Sequence, residues 1–482
     1  MALKTKEEYI ESLRRLGTVV YLFGDQVKDW VSHPIIRPSI NSIAMTYELA
    51  HVPDYMELFT AMSHITGKII NRFTHIHQSQ DDLKRKIKML RVVGQKTASC
   101  FQRCAGLDAI NTVSAVTFEV DKAVGTQYHQ RFNDFLKYLQ DEDLVCSAAM
   151  TDPKGDRSLP PSKQKNPDQY LRIVEERKNG IVVRGAKAHI TGAVNSHEVL
   201  VVPTRAMVAE EKDYAVSFAV PNDTKGVFFI YGRQPSDTRR LEASVTDVGN
   251  INFGGQEALI IFDDVFVPWE RVFLNGEYQF CRRLVELFAA FHRASYGGCK
   301  SGVADVLIGA AGLVAEIQGT HTASHIRDKL IEMIHLNETL YAAGIASSSE
   351  GHQLPSGGYA VDSLLANVCK LHVTRFPFEI VRLAQDIAGG IMGTMPSERE
   401  FKHPEVGRYV EKYLEGVAGI PAEVRFRLIR LMESMTMGTG SVCLLLESIH
   451  GAGSPQAQRI MIDRETDWEF KKKLARRIAG LD

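Results

Sequence analysis

Helical and strand patterns occupy separate parts of this chain. From Thr5 to about Leu144 apolar residues recur at helical spacing, as in DDLKRKIKMLRVVGQ, and helical patterns return from Asn275 onward. Between about Cys146 and Phe273, short runs rich in β-branched and aromatic residues alternate with Gly, Pro, Asn and Asp turns. Strands that are segregated from helices do not build βαβ units. The order therefore predicts an α+β fold and argues against a doubly wound dinucleotide-binding fold.

Three domains follow from this order. We expect a helical N-terminal domain over residues 1–144, a central antiparallel β domain over 145–274 and a C-terminal helical bundle over 275–482. With 482 residues, of which 44% are hydrophobic, the chain can bury a large core. A GxGxxG motif does not follow any predicted strand, so the sequence does not indicate a dinucleotide bound by that motif.

The charge of the chain gives no reason to expect a polyanionic partner. Lysine and arginine number 57 and aspartate and glutamate 58, which leaves a formal net charge of −1. Neither nucleic acid nor an anionic membrane is therefore expected as a partner. The N-terminus, MALKTKEEYIESLRRLG, lacks the apolar core of a signal peptide, and no later stretch approaches about twenty uncharged apolar residues. We expect a cytoplasmic protein.

Seven cysteines are too sparse for a disulfide scaffold, so some of them are candidate metal ligands. The peptide TASCFQRCAG places Cys100 and Cys104 four residues apart, which in a helix would put both thiols on one face. The peptide FHRASYGGCK places His292 and Cys299 seven residues apart, two helical turns along one face, with Tyr296 between them. Three sulfurs and one imidazole are then available to one centre.

The spacing alone leaves the nature of this centre open. Soft thiolates suit zinc or an iron–sulfur cluster, and a histidine in place of one cysteine leaves a more exchangeable ligand. A structural zinc site with three cysteines and one histidine is an alternative, although such sites favour shorter ligand spacings in small domains. A cysteine pair on a helix is also often part of a buried core.

A family resemblance favours one of these interpretations. In the segments GQKTASCFQRC, AMTDPKGDR, VVRGAKAHITG, YGGCK and ESIHGAGSPQAQRIMI, the chain resembles the 4-hydroxybutyryl-CoA dehydratases. These are flavoenzymes of the acyl-CoA dehydrogenase-like fold, in the wider group that contains 4-hydroxyphenylacetate 3-hydroxylase. The resemblance implies a [4Fe-4S] cluster bound by Cys100, Cys104, His292 and Cys299, a set that the monooxygenase relatives lack. One departure is the segment from Phe401 to Ala422, which looks shorter than in the best-known members.

The resemblance implies a demanding reaction, the reversible dehydration of 4-hydroxybutyryl-CoA to crotonyl-CoA, together with vinylacetyl-CoA Δ-isomerase activity. The hydroxyl leaves from C4, but the thioester activates only C2, so simple acid–base elimination is inadequate. A radical mechanism is implied: FAD would accept one electron from the C2 enolate and make the C3 proton more acidic, while a cluster iron would bind the hydroxyl as a Lewis acid. The candidate catalytic residues are His292, as base for the C2 proton, and Glu257, Glu447, Tyr296 and Lys300.

The flavin candidates come from three segments that resemble FAD-contacting parts of the family. They are Met150, Thr151, Asp152 and Arg157 in AMTDPKGDRSLPPS, His189 and Thr191 in KAHITG, and Gly389 and Gly390 in DIAGGIMGT. On composition alone the loop would be an ordinary turn and the two glycines an ordinary helix cap. In this fold the glycine region reaches the FAD of a neighbouring subunit, which implies a homo-oligomer, a tetramer built from dimers. The sequence does not indicate which residues bind the CoA part of an acyl-CoA.

Three other functions remain open from the sequence. A flavin-dependent aromatic monooxygenase of the same fold would need no cluster. A vinylacetyl-CoA isomerase without dehydration could use the same flavin-side pocket. A zinc-stabilised interaction protein would contain neither flavin nor iron. The candidate residues also have plain structural interpretations, since Glu257 is at the end of a predicted strand and Lys300 could be a surface cation. Glu447 follows the apolar run LLL, where an unpaired carboxylate would be costly to bury.

Overall fold

The structure, a computed structural model, describes residues 3–242 and 245–481. Six helices precede the main sheets and ten follow them in these ranges. The first six are α1 Lys6–Arg14, α2 Arg37–Leu49, α3 Pro53–Phe59, α4 Gln80–Thr97, α5 Cys104–Val124 and α6 Tyr128–Asp141. The other ten are α7 Cys281–Ile317, α8 Ser324–Ser349, α9 Ser363–Val373, α10 Phe376–Ala388, α11 Glu398–Phe401, α12 Gly407–Leu414, α13 Ala422–Thr436, α14 Glu447–His450, α15 Pro455–Glu465 and α16 Trp468–Ile478. The predicted order of helices, strands and helices, and with it the α+β class, is confirmed.

The strands form two larger sheets and two short hairpins. Their bounds are β1 Val20–Leu22, β2 Asp25–Gln26, β3 Thr60–Met62, β4 Ile69–Asn71, β5 Cys146–Ala149, β6 Arg172–Arg177, β7 Gly180–Thr191, β8 Glu198–Val201, β9 Val216–Pro221, β10 Val227–Tyr231, β11 Glu257–Pro268, β12 Val272–Asn275, β13 His352–Gln353 and β14 Tyr359–Ala360. One sheet has the order β2-β1-β10-β11-β7-β6, and the other has the order β12-β9-β8-β5. The remaining strands pair as β3 with β4 and β13 with β14.

Two features of the β region differ from the prediction. The sheets are mixed, because β1 pairs with β10 and β5 pairs with β8 in parallel. In addition, β1 and β2 come from the predicted helical region and extend the larger sheet at its edge. These segments are only 3 and 2 residues long, too short to show a periodic pattern. Their apolar residues Val20 and Leu22 become recognisable as strand residues only when buried against the sheet.

The two sheets pack face to face around a shared apolar core. Phe262 of the larger sheet meets Phe218 of the smaller sheet edge-on, with ring centroids 5.9 Å apart. Val183 and Val199, again one from each sheet, are fully buried in the same cluster. The buried residues that alternate along the strands line the interior of this β-sandwich. The ends of the sandwich that face the helices position residues of the site described below.

The long helix α7 packs closely on α4. A side chain at Gly298 would begin 2.4 Å from the carbonyl oxygen of Ile87, and one at Gly302 would begin 2.1 Å from that of Arg91. Only glycine allows backbones to approach so closely. The YGGCK motif therefore brings two helices together, and this contact fixes the depth at which Cys299 lies in the protein.

Among the described residues, one helical segment, Tyr278–Ile317, is long and apolar enough to cross a membrane. Two thirds of its most apolar window, 67%, is buried inside the protein. It contacts α4, α5, α8 and α9, as expected of the central helix of a globular core.

Candidate functional site

Cys100 and Cys104 lie on a connection between two helices. Helix α4 ends at Thr97, and Cys104 is the first residue of α5. The backbone between them takes a left-handed conformation at Ala98 and at Gln102, with φ of 48° and 70°. The prediction that both thiols lie on one face of a single helix is therefore wrong. The chain reverses direction there, and the turn rather than helical spacing determines where the two thiols lie.

The side chain of Gln102 holds this connection in place. Its amide nitrogen donates to the carbonyl oxygen of Ser39 at 2.9 Å, and its amide oxygen accepts from the Asn195 side chain at 2.8 Å. A side chain at Gly255, in the loop before β11, would begin 3.5 Å from the β-carbon of Cys100. The Cys100 loop is therefore fixed between the N-terminal helices and the sandwich.

The second half of the predicted ligand set lies on α7, and its helical spacing is confirmed. His292, Tyr296, Cys299 and Lys300 all belong to this helix. The His292 and Tyr296 rings meet edge-on with centroids 5.1 Å apart. Tyr296 is 5% exposed, so its ring forms one wall of a buried site.

The three thiols influence one another's ionisation. Burial raises the pKa of Cys100 and of Cys104 well above its ordinary value, and the neighbouring Cys104 raises that of Cys100 further. Cys299 raises the pKa of Cys104 in the same way, and the pKa of Cys299 itself rises to about 11, chiefly because it is buried. Buried thiols that repel one another as thiolates ionise readily only beside a strong positive charge, which a metal centre supplies.

A carboxylate that the sequence analysis missed lies at the centre of the ligand set. Asp108, one helical turn beyond Cys104 on α5, is completely buried. It accepts a hydrogen bond from Nδ1 of His292 at 2.8 Å, from the Ser295 hydroxyl at 2.9 Å, and from the ammonium group of Lys86. Burial opposes its ionisation, but Lys86 and His292 together hold the pKa of Asp108 below its ordinary value. A carboxylate in the apolar run AGLDAI was a signal that could have been used, because such groups are buried only with partners.

Lys300 and Glu447 form a buried ion pair beside the thiols. The ammonium group of Lys300 donates to Glu447 Oε2 at 2.6 Å and also to the carbonyl oxygen of Cys443. Burial alone would lower the pKa of Lys300, but Glu447 and the neighbouring thiols outweigh it and raise that pKa. Glu447 directly follows a π-helical turn, Val442–Leu446, a rare element often found at functional sites.

Tyr296 lies between two lysines, one of which the sequence did not indicate. Its ring centroid is 5.1 Å from the ammonium nitrogen of Lys300 and 4.9 Å from that of Lys370. Lys370 is fully buried and donates to the carbonyl oxygen of Ser448 at 2.6 Å. Burial and the charge of Lys300 lower the pKa of Lys370 to about 7. The two lysines bind the segment that carries Glu447 on both sides of that residue.

Glu257, at an end of the β-sandwich, lies near the Lys300–Glu447 ion pair. It is the first residue of β11 and lies opposite Thr191 at the end of β7, whose hydroxyl is 3.5 Å from the carboxylate. Burial and the charge of Glu447 together raise the pKa of Glu257 to about 7, although Lys300 acts in the opposite direction. A carboxylate at the start of β11 and one at the start of α14 therefore influence one another across the site.

The predicted flavin loop is held in place by a buried ion pair between Asp152 and Lys187. Asp152 is 3% exposed and forms a buried ion pair with Lys187 at 3.0 Å. Asp152 also accepts from the backbone N–H of Leu171 at 3.0 Å, and Lys187 donates to the carbonyl oxygen of Met150 at 2.9 Å. Because these contacts occupy the Asp152 carboxylate, Asp152 holds the loop in place. Of the other candidates in this loop, Thr151 is half-buried and Arg157 is exposed.

The other flavin candidates are at the surface. His189 is exposed and has a φ of 58°, at a bulge in the pairing of β7 with β11. Such bulges redirect a side chain out of the regular alternation. Gly389 and Gly390 cap the end of α10 and are exposed, with open space where side chains would begin. These two glycines lie outside the buried cluster, on a surface that another molecule can approach closely.

The arrangement does not suit a single metal ion. Among residues 3–242 and 245–481, no three His, Cys, Asp or Glu side chains lie close enough together to hold one ion. This disfavours the zinc alternative, in which the ligands must share one metal. In a [4Fe-4S] cluster each ligand binds a different iron, so such ligands need not meet at one ion.

Comparisons with known proteins show the family of the chain. Two family models match almost the whole chain, 4-hydroxyphenylacetate 3-hydroxylase N terminal over residues 5–274 and 4-hydroxyphenylacetate 3-hydroxylase C terminal over residues 281–480. The chain is 57% identical to the 4-hydroxybutyryl-CoA dehydratase/vinylacetyl-CoA-Δ-isomerase of Clostridium aminobutyricum, over 99% of this chain and 100% of that one. The chain belongs to the 4-hydroxyphenylacetate 3-hydroxylase family, in its 4-hydroxybutyryl-CoA dehydratase branch.

Solved structures place the chain in the same branch of this family. An oxygen-tolerant archaeal 4-hydroxybutyryl-CoA dehydratase from N. maritimus superposes with a TM-score of 0.98 at 53% identity, covering 100% of this chain and 96% of that one. The oxygenase component of 4-hydroxyphenylacetate 3-monooxygenase, complexed with FAD, superposes with a TM-score of 0.87 at 26% identity, covering 98% of each chain. The resemblance expected from the sequence, and the fold that it implied, are confirmed.

Proposed function

We propose that this protein is a 4-hydroxybutyryl-CoA dehydratase with vinylacetyl-CoA Δ-isomerase activity, which contains FAD and a [4Fe-4S] cluster. The observation that carries the proposal is one site built around α7: Cys299 packs in the same core as Cys104, and the Lys300–Glu447 ion pair influences both Cys100 and Glu257. His292 lies on the same helix. The 57% identity to a curated dehydratase, over 99% of this chain and 100% of that one, supports it. The monooxygenase relatives are more distant, as illustrated by the oxygenase component from Thermus thermophilus at 29% identity.

The donor set fits the proposed cluster. Cys100, Cys104, Cys299 and Nε2 of His292 would be its four ligands. The Asp108 carboxylate occupies the other ring nitrogen of His292, as the outer partner of a metal-bound histidine usually does. When bound, the cluster would supply a Lewis-acidic iron for the departing hydroxyl, and FAD would supply one-electron oxidation of the substrate in a radical mechanism.

Two residues of this chain form a buried ion pair in the proposed site. Lys300 and Glu447 are 2.6 Å apart, and both are largely buried. Because the pair is desolvated, each charge stabilises the other more strongly than it would in water. Lys300 also donates to the backbone of Cys443, so the pair has a fixed position. We assign to Lys300 the stabilisation of negative charge that develops on the acyl group.

Glu257 is the residue best suited to carry a proton back and forth. With a pKa of about 7 it is present both as acid and as base near neutral pH. It lies next to Thr191, on the sandwich side where the flavin candidates are found. We propose that it moves a proton at the acyl carbons, while Tyr296, in its buried position, orients the substrate.

The ligand and base roles proposed for His292 fall on one atom. Its Nδ1 donates to Asp108, so only Nε2 can bind iron or accept the C2 proton. The two roles therefore exclude one another at any moment, because a His292 that held iron through Nε2 would have no lone pair for a proton. A histidine ligand among three cysteines is the one most suited to such exchange.

We further propose that the enzyme is cytoplasmic, binds its substrate as an acyl-CoA and works as a homotetramer. The open surface at Gly389 and Gly390 would approach the FAD of a neighbouring subunit. Met150, Thr151, Arg157, His189 and Thr191 would contact the FAD of their own subunit, with Asp152 as support for the loop. Residues 1–144, 145–274 and 275–482 remain our proposed domain division.

The test is an anaerobic preparation assayed with both CoA esters. We expect about four iron and four sulfide per chain, one FAD per chain, and turnover of both 4-hydroxybutyryl-CoA and vinylacetyl-CoA. In H292A we expect loss of iron or loss of dehydration, whereas full turnover with full iron content would remove both roles from His292. An Ala variant of His352, an exposed histidine on the β13–β14 hairpin, is the matched control.

The rival functions predict other results. Hydroxylation of 4-hydroxyphenylacetate with reduced FAD and oxygen, by protein without iron, would support the monooxygenase. Isomerisation without dehydration would restrict the function to the isomerase. Zinc without flavin, and with neither ester turned over, would support the interaction protein.

A further inference from the structure

We infer that Asp108 is a positioning residue that selects one tautomer of His292, and that Lys86 determines how Asp108 does so. The inference rests on the proposed cluster, because it concerns the nitrogen that His292 presents to it. It depends on a hydrogen-bonded chain from α4 through α5 to α7, in which Lys86 donates to Asp108 Oδ1 and His292 Nδ1 lies 2.8 Å from Asp108 Oδ2.

Buried contacts on all three helices hold this hydrogen-bonded chain in place. Lys86 and Asp108 are both fully buried, and Lys86 also donates to the carbonyl oxygen of Phe291 at 3.2 Å. Its ammonium nitrogen lies 5.4 Å from the centre of the Phe291 ring. Lys86 therefore holds both the carboxylate and the backbone of α7 immediately before His292. The Ser295 hydroxyl, one turn along α7, donates to the same carboxylate.

The donors and acceptors in this chain permit one arrangement. An ammonium group can only donate hydrogen bonds, and a carboxylate paired with it can only accept them. His292 must therefore carry its proton on Nδ1, which leaves the lone pair on Nε2 available as a ligand. If the proton were on Nε2, that nitrogen could bind neither iron nor a substrate proton, and Nδ1 would face a carboxylate oxygen without a hydrogen between them.

Replacement of Asp108 by asparagine should reverse the tautomer. The asparagine side chain has one oxygen and one NH2 group, and Lys86 requires the oxygen because it can only donate. The NH2 group then faces Nδ1 of His292, which must become an acceptor, so the ring proton moves to Nε2. An equivalent Asp to Asn change behind a catalytic histidine leaves geometry intact and abolishes function through the wrong tautomer.

The double variant K86M/D108N should restore the wild-type tautomer. Without Lys86 the asparagine is free to rotate, and its oxygen can again accept from Nδ1 of His292. The double variant also removes the lone buried ammonium group that would remain in D108N. A role of Asp108 in folding alone also predicts recovered stability in the double variant, but it predicts that folded D108N keeps the iron release and the iron spectrum of the wild type.

The experiment measures iron release from anaerobic holoenzyme to a ferrous chelator, together with the Mössbauer spectrum of protein loaded with iron-57. In D108N we expect release about 10- to 100-fold faster than in wild type, and a change at one iron site of the four. K86M/D108N should return most of the way to wild type in both measurements. The matched control is D305N, since Asp305 on α7 binds Arg91 and Asn337 and does not contact His292.

Each outcome decides between the two proposals. Wild-type protein that holds no iron would overturn the cluster and this inference together. Iron in the wild type, with D108N matching it in release rate and spectrum, would overturn only the role of Asp108. If D108N does not fold, K86M/D108L takes its place, because it removes the buried charges and leaves Nδ1 of His292 without an acceptor. Faster iron release and a change at one iron site in this variant, but not in K86M/D108N, support the role of Asp108, whereas wild-type behaviour of K86M/D108L overturns it.

Discussion

Protonation of Glu257 should change the free energy of unfolding measurably with pH. The variant E257Q, which cannot ionise at this position, isolates that change. The pKa of Glu257 is about 7 in the folded protein against an ordinary value of 4.5, because the group is buried next to Glu447. A glutamate whose folded pKa is raised binds its proton more tightly when folded. Its contribution to stability is therefore present at low pH and is lost as the pH rises from the unfolded pKa through the folded one.

The magnitude follows from that window. Above about pH 5.5 the unfolded chain has already released the proton, while folded Glu257 keeps it until about pH 7. Each pH unit then lowers the free energy of unfolding by about 1.4 kcal/mol, which gives about 2 kcal/mol over roughly 1.5 units. With an unfolding entropy of about 2.1 cal/mol/K per residue, this corresponds to a Tm difference of roughly 2 °C.

The assay is differential scanning calorimetry of anaerobic wild type and E257Q between about pH 5.5 and pH 8. The amide stays neutral, so the Tm of E257Q relative to wild type should rise by roughly 2 °C across this range. An exposed carboxylate, Glu210, provides the control variant E210Q, whose Tm relative to wild type should stay constant. If the difference between E257Q and wild type is also independent of pH, the reasoning about burial beside Glu447 is refuted.

Three further predictions concern the surroundings of this site. In K300M the same pH dependence should move to higher pH, because Lys300 lowers the pKa of Glu257; an unchanged midpoint would contradict their coupling. In G451A the new β-carbon would lie 1.7 Å from the Tyr296 hydroxyl, so we expect kcat/KM to fall about 100-fold with iron and FAD retained; unaltered kinetics would show that the position of Tyr296 is unimportant. In G302A the β-carbon would lie 2.1 Å from a carbonyl oxygen of α4, so calorimetry should show a loss of about 1–3 kcal/mol, and wild-type stability would disprove the close helix contact.

Local sequence patterns were sufficient to predict relative positions where all the residues concerned lie on one helix. The spacing of His292, Tyr296 and Cys299 was interpreted correctly because all three lie on α7, where the helical repeat places them along one side. The same reasoning failed for Cys100 and Cys104, because the left-handed backbone at Ala98 and Gln102 breaks the repeat. Such a turn leaves no periodic signal, and neither residue is a glycine that would have marked it.

Contacts between segments that are distant in the sequence could not be predicted from local patterns. Lys86, Asp108 and His292 are far apart in the sequence, and nothing in any one segment shows that they share hydrogen bonds. Glu447 and Glu257 were proposed separately, but their mutual effect on protonation exists only because a helical turn and a strand end meet. Lys370 looked like an ordinary helix residue until its burial beside Tyr296 was visible.

The sequence by itself determined the α+β order of the chain, the balanced charge, the candidate ligands and the resemblance to a dehydratase family, because residue types and local periodicity express these directly. Only the tertiary structure decided which candidate groups are buried, which nitrogen of His292 faces Asp108, and which residues hold the candidate ligands in position. These properties depend on burial and on distances between atoms of separate segments, and folding alone creates both.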